Sequence, residues 1–562
     1  MKSPLRVGLL LDSLILPIWA AESIRDILKD PCAKLELIIC NGLAEPEPVS
    51  SNGFSRKLLR LISGRYPLKR LGYIIYQKWD STRVILTPDP FQRIDMSEEL
   101  RDIARLDLIP ITHGLFYRFH EHDLQLIRRS ELDVLLRFGF KILKGPILES
   151  AKYGIWSYHH GDNRYFRGGF PYFWELYYNS PVNGAILQIL NEQLDSGKVL
   201  YRSYSGTRSE ISVRQNSFDP YWQVSSFVIR RLRQLHQFGW NWMQKEIPSL
   251  HEDPELQGRL YKTPTNCEIC YFMVTRILRH LYKRIMVTNK IECWYVAYRQ
   301  AGVTSNYKVL PCSKGHYYAD PFPVRYGGKD YIFFMDYRFD LQHGVISYVE
   351  VLPDLSTTKP RVALDSLYHL SYPFIFEDKG EIYMIPESSS QKTIELYHAT
   401  HFPDRWELIK IMYKDIQAYD VTLLVRDGVY WFFASIVERG NADSDELFLF
   451  YSTTLEGAWV AHPKNPIISD VRRARPAGRI FERKGRMIRP SQDCSKSYGW
   501  AIQMNEIEVL STTDYREHKI ERIEPNWAPN LTGTHTYNYN ERLEVIDGRV
   551  LISASQAGLS NS

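Results

Sequence analysis

Two groups of residues in this chain have the types and spacing of working chemistry. The first is the loop Gly154 to Pro171, GIWSYHHGDNRYFRGGFP, with the pair His159-His160, then Gly161-Asp162, then Arg167-Gly168-Gly169 among aromatics. A neutral histidine relays a proton or holds an oxyanion, and a carboxylate beside it fixes its tautomer. The second is a set of short signatures: Ala319-Asp320-Pro321-Phe322, Ser371-Tyr372-Pro373-Phe374, Tyr419-Asp420-Val421-Thr422, Ala474-Arg475-Pro476-Ala477 and Gly533-Thr534-His535-Thr536. Facing carboxylates do acid–base work on glycosidic bonds. Both groups also have plainer readings. Loop histidines can be satisfied by backbone carbonyls, and an Asp at a strand start can cap a turn.

The elements that must position these groups come from periodicity. Leu5–Leu11, Leu35–Cys40 and Leu132–Phe140 are apolar runs with strand character, and Ala20–Lys29 between the first two has helical spacing. This β-α-β opening predicts an α/β fold with a doubly wound parallel sheet. A polar, glycine-rich loop after the strand at Leu132 is where such folds place their chemistry. No G-x-G-x-x-G is present, so no dinucleotide site is indicated. Residues 44–56 read as a loop and 57–80 as an amphipathic surface helix. Ser97-Glu98-Glu99 reads as a helix start, Leu108–Thr112 as a strand, His120–Arg129 as a helix and Tyr221–Met243 as one long helix. The first domain closes near residue 250.

Residues 251–292 form a connector. Its helix, Cys267–Val287, is apolar on one side and carries Arg276, Arg279, Lys283 and Arg284 on the other. A packed interdomain helix is the favoured reading and membrane-surface contact the less favoured one. Cys267-x-x-Cys270 has no second Cys/His pair nearby, so no metal site is expected. From residue 293 to 562 strands alternate with turns, and a turn glycine recurs at Gly328, Gly380, Gly428, Gly485 and Gly548, spaced 52, 48, 57 and 63 residues apart. A strand-and-turn repeat near this length is that of a propeller blade, and five copies predict five blades. First strands line a propeller's channel, so the five signatures should converge at its mouth.

At 44% hydrophobic and 24% charged, with net charge +5, the 562 residues have an ordinary globular composition that argues for no nucleic-acid partner. Seven cysteines point to free thiols in a reducing, cytoplasmic setting. Asp12 interrupts the apolar start, which reads as a first strand rather than a signal peptide.

The loop resembles that of the formyltransferase family, which includes methionyl-tRNA and sugar N-formyltransferases. Gly154, His159, Arg167, Gly168 and Pro171 match its pattern, while Ser157 stands at the catalytic Asn and Gly161 and Arg164 replace a Ser and a Pro. Leu194-Asp195-Ser196-Gly197 resembles the family's L-D-x-G segment, with Asp195 lying 38 residues after Ser157. The resemblance implies transfer of a formyl group from 10-formyltetrahydrofolate to an amine on a sugar or sugar nucleotide. His159, Asp195 and Ser157 would be catalytic, and His160, Asp162, Arg167 and Gly168 would bind substrate. Ser157 offers one rotatable donor where the family has an amide, and losing one oxyanion donor costs about 10²–10³ in rate.

The repeat resembles the five-bladed arabinanase, levansucrase and invertase group, and the propeller-like domain of plant glucosamine inositolphosphorylceramide transferases. That implies paired aspartates at Asp320 and Asp420 and an acid at Glu387, with Arg475 and His535 at equivalent blade positions. The leading expectation is a formyltransferase whose propeller binds glycan. The alternatives are glycoside hydrolase or glycosyltransferase activity in the propeller, and a carbohydrate-binding protein with a repurposed formyltransferase fold.

Overall fold

The computed structural model describes residues 2–44, 68–194, 196–247, 259–288 and 290–557. The chain divides into two compact units, Met1–His280 with Arg439–Asn441, and Leu281–Glu438 with Ala442–Ser562.

The first unit is built on a seven-stranded sheet. From one edge it runs Lys198–Gly206, Val182–Ile189, Ile155–His159, Val134–Arg137, Leu5–Leu11, Ala33–Asn41 and Ala104–Leu108. The last five pair in parallel, and the two at the other edge form an antiparallel hairpin. The expected all-parallel sheet is therefore a mixed one, because the short Asn191–Gly197 connection can join strands only by reversal. Alternation sets the core. Val7, Leu9, Leu11, Val134 and Leu136 pack on one face with the helix Ile18–Lys29, while Leu10 and Leu135 pack on the other with Leu124, Ile127 and Ile147. Both faces are covered, which is why these strands read as continuous apolar runs.

Two helix expectations fail. Ser97-Glu98-Glu99 starts no helix: Asp95 Oδ1 accepts the Ser97 N–H at 2.9 Å and its hydroxyl at 2.5 Å, a side-chain turn that competes with a helix. The long helix from Tyr221 is three pieces, Phe218–Val224, Phe227–Phe238 and Trp240–Glu246. Gly239, at φ +82°, makes the second break. The connector helix is present as Asn266–Val287, with Ile269, Phe272 and Arg276 buried and Tyr271, Val274, Leu278, Leu281 and Ile285 exposed. Of the helix expected over 57–80, residues 57–67 lie outside the described residues, and Leu71–Arg83 is helical.

The second unit holds five sheets of four or five strands, antiparallel throughout. Their first strands begin at His316, Ser371, Gln417, Phe481 and Tyr537. The fifth sheet is completed from the start of the unit: Lys290–Gln300 pairs along its whole length with Leu543–Ser553. Gly328, Gly380, Gly428 and Gly485 sit in hairpin turns at φ between +74° and +84°, a conformation that favours glycine. The fifth expected turn is not one. Asp547 and Gly548 lie inside the strand Leu543–Ser553, and the chain reverses instead at Asn540–Arg542.

Candidate functional site

Loop residues of the first unit are engaged by the protein itself. Ser157 lies on the strand Ile155–His159, opposite Arg137 on the neighbouring strand, and its hydroxyl accepts from Arg137 Nη1 at 2.9 Å. His159 Nε2 lies 3.0 Å from the Phe166 carbonyl. His160 is enclosed by Trp19, Tyr158, Tyr172 and Tyr221, stacked on Tyr221 at 3.9 Å. Burial pushes its pKa down to about 3, so it is neutral.

Asp162 is the centre of an ionic knot. It pairs with Arg164 at 2.9 Å and with Arg202, and accepts from the Tyr204 hydroxyl at 2.9 Å. Burial alone would raise its pKa, but the bonds and charges of Arg164 and Arg202 hold it below the usual range. Arg167 donates to the Leu194 carbonyl at 2.8 Å. Gly168, at φ +98°, pairs with Tyr261 so closely that a Cβ would lie 2.3 Å from the Tyr261 carbonyl oxygen. These contacts tie Asp162, Arg167 and Gly168 into the loop's own architecture, and His160, Arg167 and Gly168 also line a small cavity with Trp174, Glu175 and Tyr261. Asp195 lies outside the described residues.

The signatures of the second unit do come together, and the local reason is a shared backbone device. Three first strands carry a bulge in which two residues face one partner, between Ala319 and Phe322, Ser371 and Phe374, and Tyr419 and Thr422. The first extra residue of each has positive φ: Asp320 at +54°, Tyr372 at +42° and Asp420 at +52°. A bulge leaves its extra residue out of the ladder, which is why Pro321 and Pro373 fit there without a backbone N–H. The bulge also re-aims the side chains of Asp320 and Asp420 inward, to 5% and 2% exposure.

Two linked clusters result. In one, Arg475, on the segment leading into the fourth sheet, donates from Nε to Asp420 Oδ2 at 2.6 Å and lies 3.4 Å from Glu387 Oε2 of the second sheet and 2.9 Å from Asp443. Gln492 also donates to Asp420, at 2.9 Å, and the guanidinium lies over Tyr419 and Tyr498. Burial and the neighbouring Glu387 push the Asp420 carboxyl up to about 7 despite Arg475. Burial raises Glu387 as well. Both carboxyls are thus raised, and the titration of the pair belongs to both groups.

In the other cluster, His535 of the fifth sheet lies 3.5 Å from Asp320 and 2.6 Å from Asp547, and stacks on Trp294 at 4.0 Å. Asp547 accepts the backbone N–H groups of Asp320, His535 and Thr536, while Asp320 accepts the Thr536 hydroxyl and, at 3.4 Å, the Tyr372 N–H. Burial lowers His535, and the charges of Asp547 and Asp320 more than reverse that. Burial raises Asp320. Ligating atoms of Asp320, His535 and Asp547 lie within 4.8 Å of one another. Nothing in the sequence pattern singles out Asp547, Gln492 or Trp294. Asp547 is hidden by the glycine after it, because Asp-Gly reads as a turn.

Residues 277–554 match the family model described as glucosamine inositolphosphorylceramide transferase 1, N-terminal. A glucosamine inositolphosphorylceramide transferase 1 of Oryza sativa subsp. japonica is 37% identical over 206 residues, 36% of this chain and 28% of the relative. The chain thus spans little more than a quarter of that relative's length. A methionyl-tRNA formyltransferase of Prochlorococcus marinus is 26% identical over 139 residues, 24% of this chain and 42% of that protein. Among solved structures, Zg3597, a family 117 glycoside hydrolase of Zobellia galactanivorans, aligns with TM-score 0.33 and 14% identity, over 45% of this chain and 90% of its own. Glycinamide ribonucleotide transformylase 1 from Symbiobacterium toebii aligns with TM-score 0.25 and 12% identity, over 44% and 90%.

These findings overturn formyl transfer as the leading expectation. The 37% relatives are named glucosamine inositolphosphorylceramide transferase 1, which favours the glycosyltransferase alternative over formyl transfer. The geometry agrees, since the Ser157 hydroxyl is already bonded to Arg137. No step is assigned to the formyl folate.

Proposed function

We propose that this chain acts in glycosyl transfer, and that its second unit is a closed five-bladed propeller whose centre holds a sugar of a glycolipid-type substrate. The observation that carries this reading is the convergence of Asp320, Glu387 and Asp420, from three sheets, within the stretch matched by the transferase family. Contacts between sheets support closure. Tyr372 of the second sheet bonds Thr422 of the third and Gly478 of the fourth, and Asn538 of the fifth donates to Pro321 of the first.

The chemistry follows from protonation. A general acid must hold a proton at working pH, and the Asp420–Glu387 pair suits that role because burial, and for Asp420 its neighbour Glu387, raise both carboxyls against the charge of Arg475. Tyr419 and Tyr498 beside Arg475 offer ring faces of the kind that stack on sugars. The seven cysteines form no disulfide among the described residues, in keeping with a reducing compartment as part of this proposal.

The test is saturation-transfer NMR of the full chain with glucosamine and N-acetylglucosamine. It is paired with mass spectrometry of an inositolphosphorylceramide after incubation with a sugar nucleotide. The expected result is a sugar signal that disappears in Asp420→Asn and Glu387→Gln, with a hexosamine mass gain on the lipid. A sugar signal unchanged in both variants would overturn the placement of the site, and no mass gain with the intact chain would overturn transfer by this chain alone.

A further inference from the structure

Four residues after Arg475 stands a second arginine in the opposite situation. Arg479 follows the same signature of the fourth sheet, and its backbone N–H is pinned to Asn538 Oδ1 at 2.7 Å. Its side chain reaches the second sheet, where Nη2 donates to the Ile375 carbonyl at 2.5 Å and the guanidinium lies 5.0 Å over the Phe374 ring. Arg475 has three carboxylates within 4 Å, whereas Arg479 has none among the described residues. Its Nε and Nη1 have no hydrogen-bond partner among the described residues, yet the side chain is only half-buried.

A guanidinium held by its backbone, stacked on a ring and anchored through one nitrogen is preorganised. What it lacks is an anion. A guanidinium this far withdrawn from water normally has a paired group, and the half-buried Arg479 has no carboxylate partner among the described residues. Here burial pushes the pKa down to about 10, opposed only by the Tyr372 phenol.

We propose that Arg479 is the anchor of an oxyanion-binding site between the second, fourth and fifth sheets, taking a single phosphate or phosphodiester group on its unpartnered N–H fork. Arginine suits this ligand because its planar donors match two oxygens of one group, and the Ile375 bond fixes the fork's direction. The inference rests on these contacts and not on the proposed function. The ligand chemistry has two sources, free phosphate and the phosphodiester of a lipid headgroup.

The experiment is thermal unfolding and titration calorimetry of the full chain at fixed ionic strength. Three conditions are compared: chloride alone, inorganic phosphate, and glycerophosphoinositol. Phosphate or the diester is expected to raise the midpoint saturably. Arg479→Met should abolish that rise and, in chloride, keep about the parent's stability, since it removes a half-buried charge that has no carboxylate partner among the described residues. Arg479→Lys keeps the charge without the fork and should weaken binding about tenfold. Tighter binding of phosphate assigns free phosphate as the ligand, and tighter binding of the diester assigns the headgroup. No saturable rise with either probe in the parent chain overturns the proposal. So does an undiminished rise in Arg479→Met. If Arg479→Met is less stable in every buffer, the arginine is a strut for Ile375 and the site is withdrawn. Should Arg479→Met fail to fold, calorimetry on the parent and Arg479→Lys decides alone.

Discussion

Asp162 and Asp420 are the same residue type at nearly the same burial, 4% and 2% exposed, and they are driven to opposite protonation states. Asp162 meets two guanidinium groups and a phenol, with no second carboxylate bonded to it among the described residues, and is held below the usual range. Asp420 meets one guanidinium that it must share with Glu387 and Asp443, and is pushed up to about 7. Burial is common to both, so the ratio of cations to carboxylates decides the outcome. A knot with surplus positive charge is a fixed strut. A knot short of positive charge keeps a mobile proton, and that is the one fit for chemistry.

The comparison breaks hardest at its shared cation. Arg475→Met would leave Asp420 and Glu387 buried with no counterion, a loss of about 3–5 kcal/mol on the scale of broken buried pairs. The loss should be larger at pH 8 than at pH 5, because the carboxyls can take up protons at the lower pH. Urea unfolding at the two values checks this; equal losses would mean that Arg475 acts by packing on Tyr419 and Tyr498 alone.

The pH profile sharpens the same contrast. A carboxyl whose folded pKa is raised contributes stability that is full below its unfolded value, about 3.9, and is lost as pH rises through the folded value. For Asp420 that window runs from the unfolded value up to about 7. A lowered carboxyl does the reverse, so the Asp162 contribution is present above the unfolded value and lost as pH falls through the folded one. Asp420→Asn should therefore flatten the decline in stability between pH 4 and 7 by up to about 1.4 kcal/mol per unit, while Asp162→Asn should act on the slope below pH 4. Unfolding free energies at several pH values distinguish the two, and identical slopes in both variants would dissolve the comparison.

The elements of this molecule are legible in sequence where local rules act alone. The parallel strands follow from apolar runs and four of the five expected hairpin turns from their glycines, while the recurring signatures around Asp320, Tyr372 and Asp420 are legible as repeats but not as bulges. What escapes depends on long-range contacts. Asp547 reads as a turn residue in sequence, and only the pairing of Leu543–Ser553 with Lys290–Gln300 makes it a buried acceptor. His159 and Arg167 match a catalytic pattern, but that pattern cannot reveal the carbonyls of Phe166 and Leu194 that occupy them. Arg475 and Arg479 are alike in sequence and opposite in partners, which no spacing records.

Gly168 tests whether the loop is a strut. An alanine there would sit at φ +98° with its Cβ 2.3 Å from the Tyr261 carbonyl oxygen, so the pairing with Tyr261 must open. A strained position of this kind costs about 1–3 kcal/mol. Gly168→Ala should lower stability by that order and leave the sugar signal of the second unit unchanged. A vanished sugar signal in a folded Gly168→Ala chain would make the loop a ligand-facing element after all.

His160 gives the smallest effect. Its ring is neutral because burial holds it at about 3, and it stacks 3.9 Å from Tyr221 inside an aromatic cage. Among the described residues its ring makes one polar contact, 3.4 Å between Nδ1 and the Tyr172 hydroxyl. A ring of similar shape keeps the stacking and gives up that long bond, so His160→Phe should change stability by less than about 1.5 kcal/mol. Because the imidazole carries no charge between pH 5 and 8 in the folded chain but ionises near 6.5 when unfolded, the parent should lose stability below that pH, and His160→Phe should remove this loss. Thermal unfolding of the two proteins at pH 5 and pH 8 reads the difference. A variant less stable than the parent at pH 5 would mean that the histidine is charged there and that an anionic partner, not the aromatic cage, sets its state.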